Sequence, residues 1–344
     1  MLNLTFCLFA ESFYLHNSSN QALYILQVLL AFICLFLFIT ICIKLYFETQ
    51  FEISTKLVLN GICFSIFLIA IGAIIPALFF LQTVYIQSKN YICSWVDFTA
   101  KDCAIFYTCY NLGQMIFLFS PAFLALERLI SELKYTGKCF GFLLFILQLG
   151  IPITTFIYLY PSEMSQDHFP HCSINSQMFF RTKFLFNILI SIQLFSLFIY
   201  TSLLYNRNNY YTNEKIISGH VSTTIKNKKN KVFQQWRIWD DTELTLPIII
   251  VTTICFLSTV FVEYSFIVAL EPYIRFLNFS YVEDGDLFEA ARWNEIQILC
   301  SILFLIFMGM FLYSKINFDA VANAKQRLIE KKLLQIKTQN NNKQ

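Results

Sequence analysis

Charge is scarce in this chain. Asp, Glu, Lys and Arg make up 14% of its 344 residues, against about 25% in a soluble globular domain, which is too little to solvate a soluble surface. Glycine and proline are also few, at 9 and 7, and that excludes collagen-like and Pro/Gly-rich disordered compositions. The net charge of +3 is too small an excess to argue for nucleic acid as a partner. The alternation over about ten residues that an outer-membrane barrel strand needs is missing. So are a glycine-rich phosphate loop, a nucleophile elbow and a His-Glu-x-x-His run. Nothing in the sequence therefore points to an enzyme or to a cofactor.

What is present is apolar and grouped. Hydrophobic residues form 57% of the chain, with 39 Phe and 18 Tyr, and the charges sit in blocks between long apolar runs. A helix needs roughly 20 mainly apolar residues to cross about 30 Å of hydrocarbon. Seven stretches meet that length: Ala22 to Phe47, Leu57 to Val84, Cys103 to Leu126, Cys139 to Tyr160, Lys183 to Tyr205, Leu246 to Leu270 and Glu295 to Ser314. Such runs satisfy their backbone internally as helices. The sequence thus predicts an all-α membrane protein, a seven-transmembrane helix bundle over residues 22–314, preceded by residues 1–21 and followed by residues 315–344. Leu2 to Ala10 is apolar but short and lacks a basic flank, so the first span reads as an uncleaved insertion signal.

The basic residues set an orientation. With the N-terminus outside, 19 Lys and Arg fall on the cytosolic side and 6 on the other, as the positive-inside rule requires. Glycosylation sequons agree independently. Asn3-Leu4-Thr5, Asn17-Ser18-Ser19 and Asn278-Phe279-Ser280 all fall in segments that this topology puts outside, where glycan transfer takes place.

The topology also divides the 11 cysteines. Cys7, Cys93, Cys103 and Cys172 lie on the oxidising side, the others within spans or near the cytosolic face. Four cysteines allow three pairings. Cys103 at the outer mouth of the third span and Cys172 in the loop between the fourth and fifth form one candidate pair. His168, His171 and Cys172 have a spacing that could hold a metal, but a hydrated loop with Cys172 in a disulfide is the simpler reading, and no metal site is expected.

At the other end of the third span stands Leu126-Glu127-Arg128-Leu129, 25 residues after Cys103 when counted to the Arg. One reading of Glu127 and Arg128 is a snorkelling pair that marks the membrane edge. The other is that the arrangement resembles the G-protein-coupled receptor pattern, in which the acid restrains the Arg at rest and the Arg contacts a heterotrimeric G protein on activation. More specifically, the chain resembles nematode serpentine chemoreceptors of the Sra superfamily, of Sra or Srab type. The stretches that carry the likeness are Ser54-Thr55-Lys56-Leu57-Val58-Leu59, Cys93-Ser94-Trp95, Cys103 and Leu126-Glu127-Arg128-Leu129-Ile130. The resemblance implies a chemosensory receptor of the plasma membrane that binds a small-molecule ligand from outside and signals to a G protein. The chain departs from the rhodopsin-like pattern: Ile302 to Tyr313 contains no Asn-Pro-x-x-Tyr, and Pro247 is at the entrance of the sixth span and not within it.

A ligand pocket is expected among polar groups in the outer halves of the spans. Tyr107, Tyr110, Asn111 and Gln114 lie at i, i+3, i+4 and i+7, on one helical face. Asn187 and Ser191 form an i, i+4 pair in the fifth span, and Glu263 is an acid deep in the sixth. Each also has a plainer use: Asn, Gln and Ser hydrogen-bond between helices in lipid, and Glu263 could be solvated at the outer interface. On the cytosolic side, residues 206–245 form a long loop with Lys226-Asn227-Lys228-Lys229-Asn230-Lys231, suited to a G protein or to anionic lipid. Residues 318–337 read as an amphipathic interfacial helix. A ligand-gated channel with its N-terminus inside, or a transporter, is the alternative class. The first conflicts with glycan on Asn3 or Asn17, and the repeat symmetry of the second is not evident.

Overall fold

The computed structural model describes residues 13–14, 17–47, 52–86, 98–132, 138–159, 168–169, 188–203, 205, 246, 248–254, 257, 292–314 and 316–317. Its helices are α1 (Ser18–Phe47), α2 (Ile53–Ile86), α3 (Ala100–Glu132), α4 (Lys138–Leu159), α5 (Ile188–Leu203), α6 (248–254) and α7 (Arg292–Ser314). Five of them, α1 to α4 and α7, are long and apolar enough to cross a membrane. The architecture is the expected all-α membrane bundle. Two short strands, β1 (Phe98–Thr99) and β2 (His168–Phe169), pair antiparallel, Phe98 with Phe169 and Thr99 with His168. They tie the entrance of α3 to the segment that follows α4.

α1 illustrates how the sequence makes these helices. It contains neither Gly nor Pro, and Asn17 caps it: the Asn17 Oδ1 accepts the Ser19 and Asn20 amides at 3.1 and 3.3 Å, which satisfies donors the first turn leaves open. Its buried residues are Asn20, Tyr24, Gln27, Ala31, Cys34, Phe38, Ile41 and Leu45, steps of four and three that make one straight seam. Leu29, Phe32, Phe36 and Ile43 are exposed on the rest of the helix, where lipid takes the place of water and burial is not required.

The central seam is between α2 and α3. A Cβ on Gly72 would lie 2.1 Å from the Tyr110 backbone nitrogen, and one on Gly113 would lie 2.7 Å from the Ile69 nitrogen and the Ser65 carbonyl oxygen. Glycine at both positions lets the two backbones touch. α4 joins them through Gln148, whose amide donates to the Val58 carbonyl at 3.2 Å and to Ser120 Oγ at 2.9 Å. The Gln148 side chain runs past Gly61, where a Cβ would overlap it at 2.4 Å. α5 is held to α3 by Gln193, which donates to the Leu118 carbonyl at 3.0 Å and accepts from Thr253 of α6 at 3.3 Å. α7 lies against α1, with Gly309 facing the Leu37 side chain, Lys44 bonded to Asn317, and the Lys44 ammonium 4.4 Å from the centre of the Tyr313 ring.

α3 extends to Glu132, six residues past the end the apolar run suggests. Glu127 and Arg128 are therefore within the helix and not at its last residue. The loop 206–245, the residues expected to form the amphipathic C-terminal helix, Asn3, Cys172, Asn187, Glu263 and Asn278 lie outside the described residues.

Candidate functional sites at the two ends of the bundle

At the end where α3 finishes, Glu127 and Arg128 are each 1% exposed. A buried charge needs both a counter-charge and hydrogen bonds, and the first turn of α2 supplies the latter. Arg128 Nε donates to Glu127 Oε2 at 2.6 Å. Glu127 Oε1 accepts the hydroxyls of Ser54 and Thr55, each at 2.9 Å, and of Ser131 at 3.1 Å. The Thr55 hydroxyl also accepts from Arg128 Nη2, so it bridges acid and base. Gly141 keeps α4 close by: a Cβ there would lie 2.5 Å from Ser54 Cα. The arrangement is a neutralised ion pair held by α2 and α3 together.

At the opposite end a second acid is buried. Glu295 in the first turn of α7 is 3% exposed. Gln27 of α1 donates its amide to Glu295 Oε2 and to the Glu295 carbonyl, both at 2.9 Å. The Tyr107 hydroxyl of α3 donates to Glu295 Oε1 at 3.4 Å. Around this knot is an aromatic group. Phe80 of α2 stacks on Tyr14 with centroids 4.7 Å apart and meets Tyr24 at 5.2 Å. Phe13 and Tyr14, which precede α1, are buried here, and their carbonyls accept the side-chain amides of Asn20 and Gln21 at 3.1 Å each. Burial first, and then the nearby Glu295 carboxylate, raise the Tyr14 phenol well above its ordinary value.

The expected site residues separate on inspection. Tyr107 and Tyr110 are buried in the interior, and Asn111 and Gln114 are half-buried on the same helix. Ser191 is exposed, whereas Gln193 and Ser196 are the buried polar residues of α5. Ser191 is thus not on the face that α5 turns to α3. Cys103 is in the first turn of α3, and the β1–β2 ladder brings the chain just before it against the segment that leads to Cys172. Sequence reasoning missed Glu295, Gln27, Tyr24 and Tyr14. The available signals were an acid opening an apolar span and a lone Gln within another.

Residues 14–271 match the family described as serpentine type 7TM GPCR receptor class ab chemoreceptor. The chain belongs to this family. No curated protein matches the chain. Membership makes it a GPCR-like, multi-pass membrane chemoreceptor. The matched stretch begins at Tyr14, contains the Glu127–Arg128 pair of this class ab chemoreceptor, and stops before α7 and Glu295.

Proposed function

We propose that the protein is a plasma-membrane chemosensory receptor, N-terminus outside, that takes a small-molecule ligand from the outer side and signals to a heterotrimeric G protein on the inner side. The observation that carries the reading is the buried Glu127–Arg128 pair, bridged by Thr55, at the inner end of α3 in a chain of a receptor family. At rest Glu127 holds Arg128, and activation frees the guanidinium for the G protein. The ligand enters at the opposite end, near Tyr107, Tyr110, Asn111 and Gln114, with Glu263, Asn187 and Ser191 as further candidates from the sequence. A Cys103–Cys172 disulfide is in keeping with the β1–β2 ladder beside it, and Asn3, Asn17 and Asn278 are the glycan acceptors.

The test is signalling by two variants in cells with a cAMP or calcium readout. Glu127→Gln keeps an oxygen for Ser54, Thr55 and Ser131 but removes the charge, and basal activity rises. Arg128→Ala reaches the surface and binds ligand but no longer couples. An Arg128→Ala protein that signals normally defeats the mechanism. Topology is checked by glycosidase: a mobility shift of the membrane-expressed protein is expected, and no shift together with a cytosolic N-terminal tag overturns the orientation.

A further inference from the structure

Two thiols meet where α1 and α2 pack together. Cys42 stands in the last turns of α1 and Cys63 in the third turn of α2, and a side-chain hydrogen bond joins them. Neither is in a disulfide, and among the free cysteines of the described residues these are the two bonded to one another. Cys63 is 7% exposed, whereas Cys42 is half-buried, on the flank of the α1 seam beside Ile41.

The difference in burial divides the roles. The attacking form of cysteine is the thiolate, and an oxidant meets it at a sulfur it can reach. Oxidation-sensitive cysteines pair such a sulfur with a second thiol that resolves the first product. Cys42 has the access and Cys63 the position. The space beside them is a separate observation. A small cavity between α1, α2, α6 and α7 has Cys63 in its wall, and the rest of the wall is apolar, with Ile41, Leu45, Leu59 and Ile62 among its residues. It has room for about one water-sized molecule and no polar partners to retain water. A neutral oxidant little larger than water suits these surroundings, and a charged or bulky one does not.

We propose that Cys42 and Cys63 are a modification site, oxidised by hydrogen peroxide to a disulfide that ties α1 to α2. The Cys42 thiolate attacks one peroxide oxygen, the O–O bond breaks, and the departing hydroxide takes up the proton that Cys42 gave away. Cys42 is then a sulfenic acid. The Cys63 sulfur attacks the Cys42 sulfur, the S–O bond breaks, and the second hydroxide leaves as water with the Cys63 proton. The two sulfurs together lose two electrons and two protons, and the peroxide becomes two waters. The tie falls on the helix whose first turn holds Glu127 and Arg128. This site is independent of the receptor reading, since its chemistry needs neither a ligand nor a G protein.

The experiment treats the purified full chain in detergent, freed of reductant, with hydrogen peroxide, and in parallel with oxidised glutathione. Peptide mapping under non-reducing conditions is expected to join the Cys42 and Cys63 peptides after peroxide and to leave both free after oxidised glutathione. In Cys63→Ala the first product has no resolving thiol, so dimedone labels Cys42 as a sulfenic acid. In Cys42→Ala the Cys63 thiol stays reduced. A disulfide restricts the unfolded chain, so peroxide also raises the melting temperature of the unaltered protein and not that of Cys42→Ala. Both thiols still free after peroxide, Cys42 joined to a different cysteine, equal joining by oxidised glutathione, or Cys63 oxidised in Cys42→Ala as in the unaltered chain overturns the proposal. If a variant does not fold, the peptide map of the unaltered chain decides.

Discussion

Glu127 and Glu295 are buried at opposite ends of the bundle, and the partners described for them differ in kind. Glu127, near the end of α3, is met by a guanidinium from the next residue and by three hydroxyls, two of them from the first turn of α2. Glu295, at the start of α7, accepts an amide from α1 and a phenol from α3, from residues 268 and 188 positions away. The Glu127–Arg128 pair is local and charged, so its geometry is set once α3 forms and α2 docks. The Glu295 knot exists only when three distant helices have assembled. The difference is one of assembly: the Glu127 end is fixed by the next residue in the chain and the first turn of α2, the Glu295 end by the meeting of three helices.

The comparison predicts the largest effect at Glu127. Glu127→Leu leaves Arg128 buried without its carboxylate, which costs ~3–5 kcal/mol, and melting of the solubilised protein should reveal a severe loss of folded receptor. Thr55→Val comes next. It removes a hydroxyl that serves both members of the pair, a loss of about 1.5–3 kcal/mol for bonds to charged groups, and should combine a lower melting temperature with raised basal signalling. At the opposite end Gln27→Leu removes a donor to the Glu295 carboxylate at a comparable cost of about 1.5–3 kcal/mol, with basal signalling unchanged. A destabilisation as large as that of Glu127→Leu would erase the contrast. The smallest effect is at Tyr24→Phe. Removing an unpartnered buried hydroxyl should leave stability the same or raise it by up to about 1 kcal/mol, whereas a clear fall in melting temperature would mean that the hydroxyl is bonded in the working protein.

The fold was legible because the controlling signal is one-dimensional. Span length and apolar content are read along the chain, and α1, α2, α3, α4 and α7 all appear where the runs predict them. Helix ends were less so. α3 continues past its apolar run because the polar residues there bond to Ser54 and Thr55, partners on another helix. The Glu127–Arg128 ion pair was readable because the two residues are adjacent. The Glu295 knot was not. Glu295 looks like the polar edge of a span until Gln27 and Tyr107 are brought to it, and Ser191 looks inward-facing until α5 is rotated so that Gln193 reaches Leu118.

The glycine seams divide the molecule into parts of unequal stiffness. Gly72 and Gly113 set the α2 and α3 backbones directly against each other, and Gly61 lets Gln148 of α4 thread between them. Backbone cannot yield as a side chain can, so these three helices behave as a stator. α7 meets α1 at Gly309 through side chains, the end of Leu37 and the edge of the Phe38 ring, and side chains adjust by changing rotamer. At this contact the α1–α7 seam can adjust by side-chain rotation, where the α2–α3 seam would have to move backbone. The Glu127–Arg128 pair, with Ser54 and Thr55 around it, is built on the stiffer of these two seams.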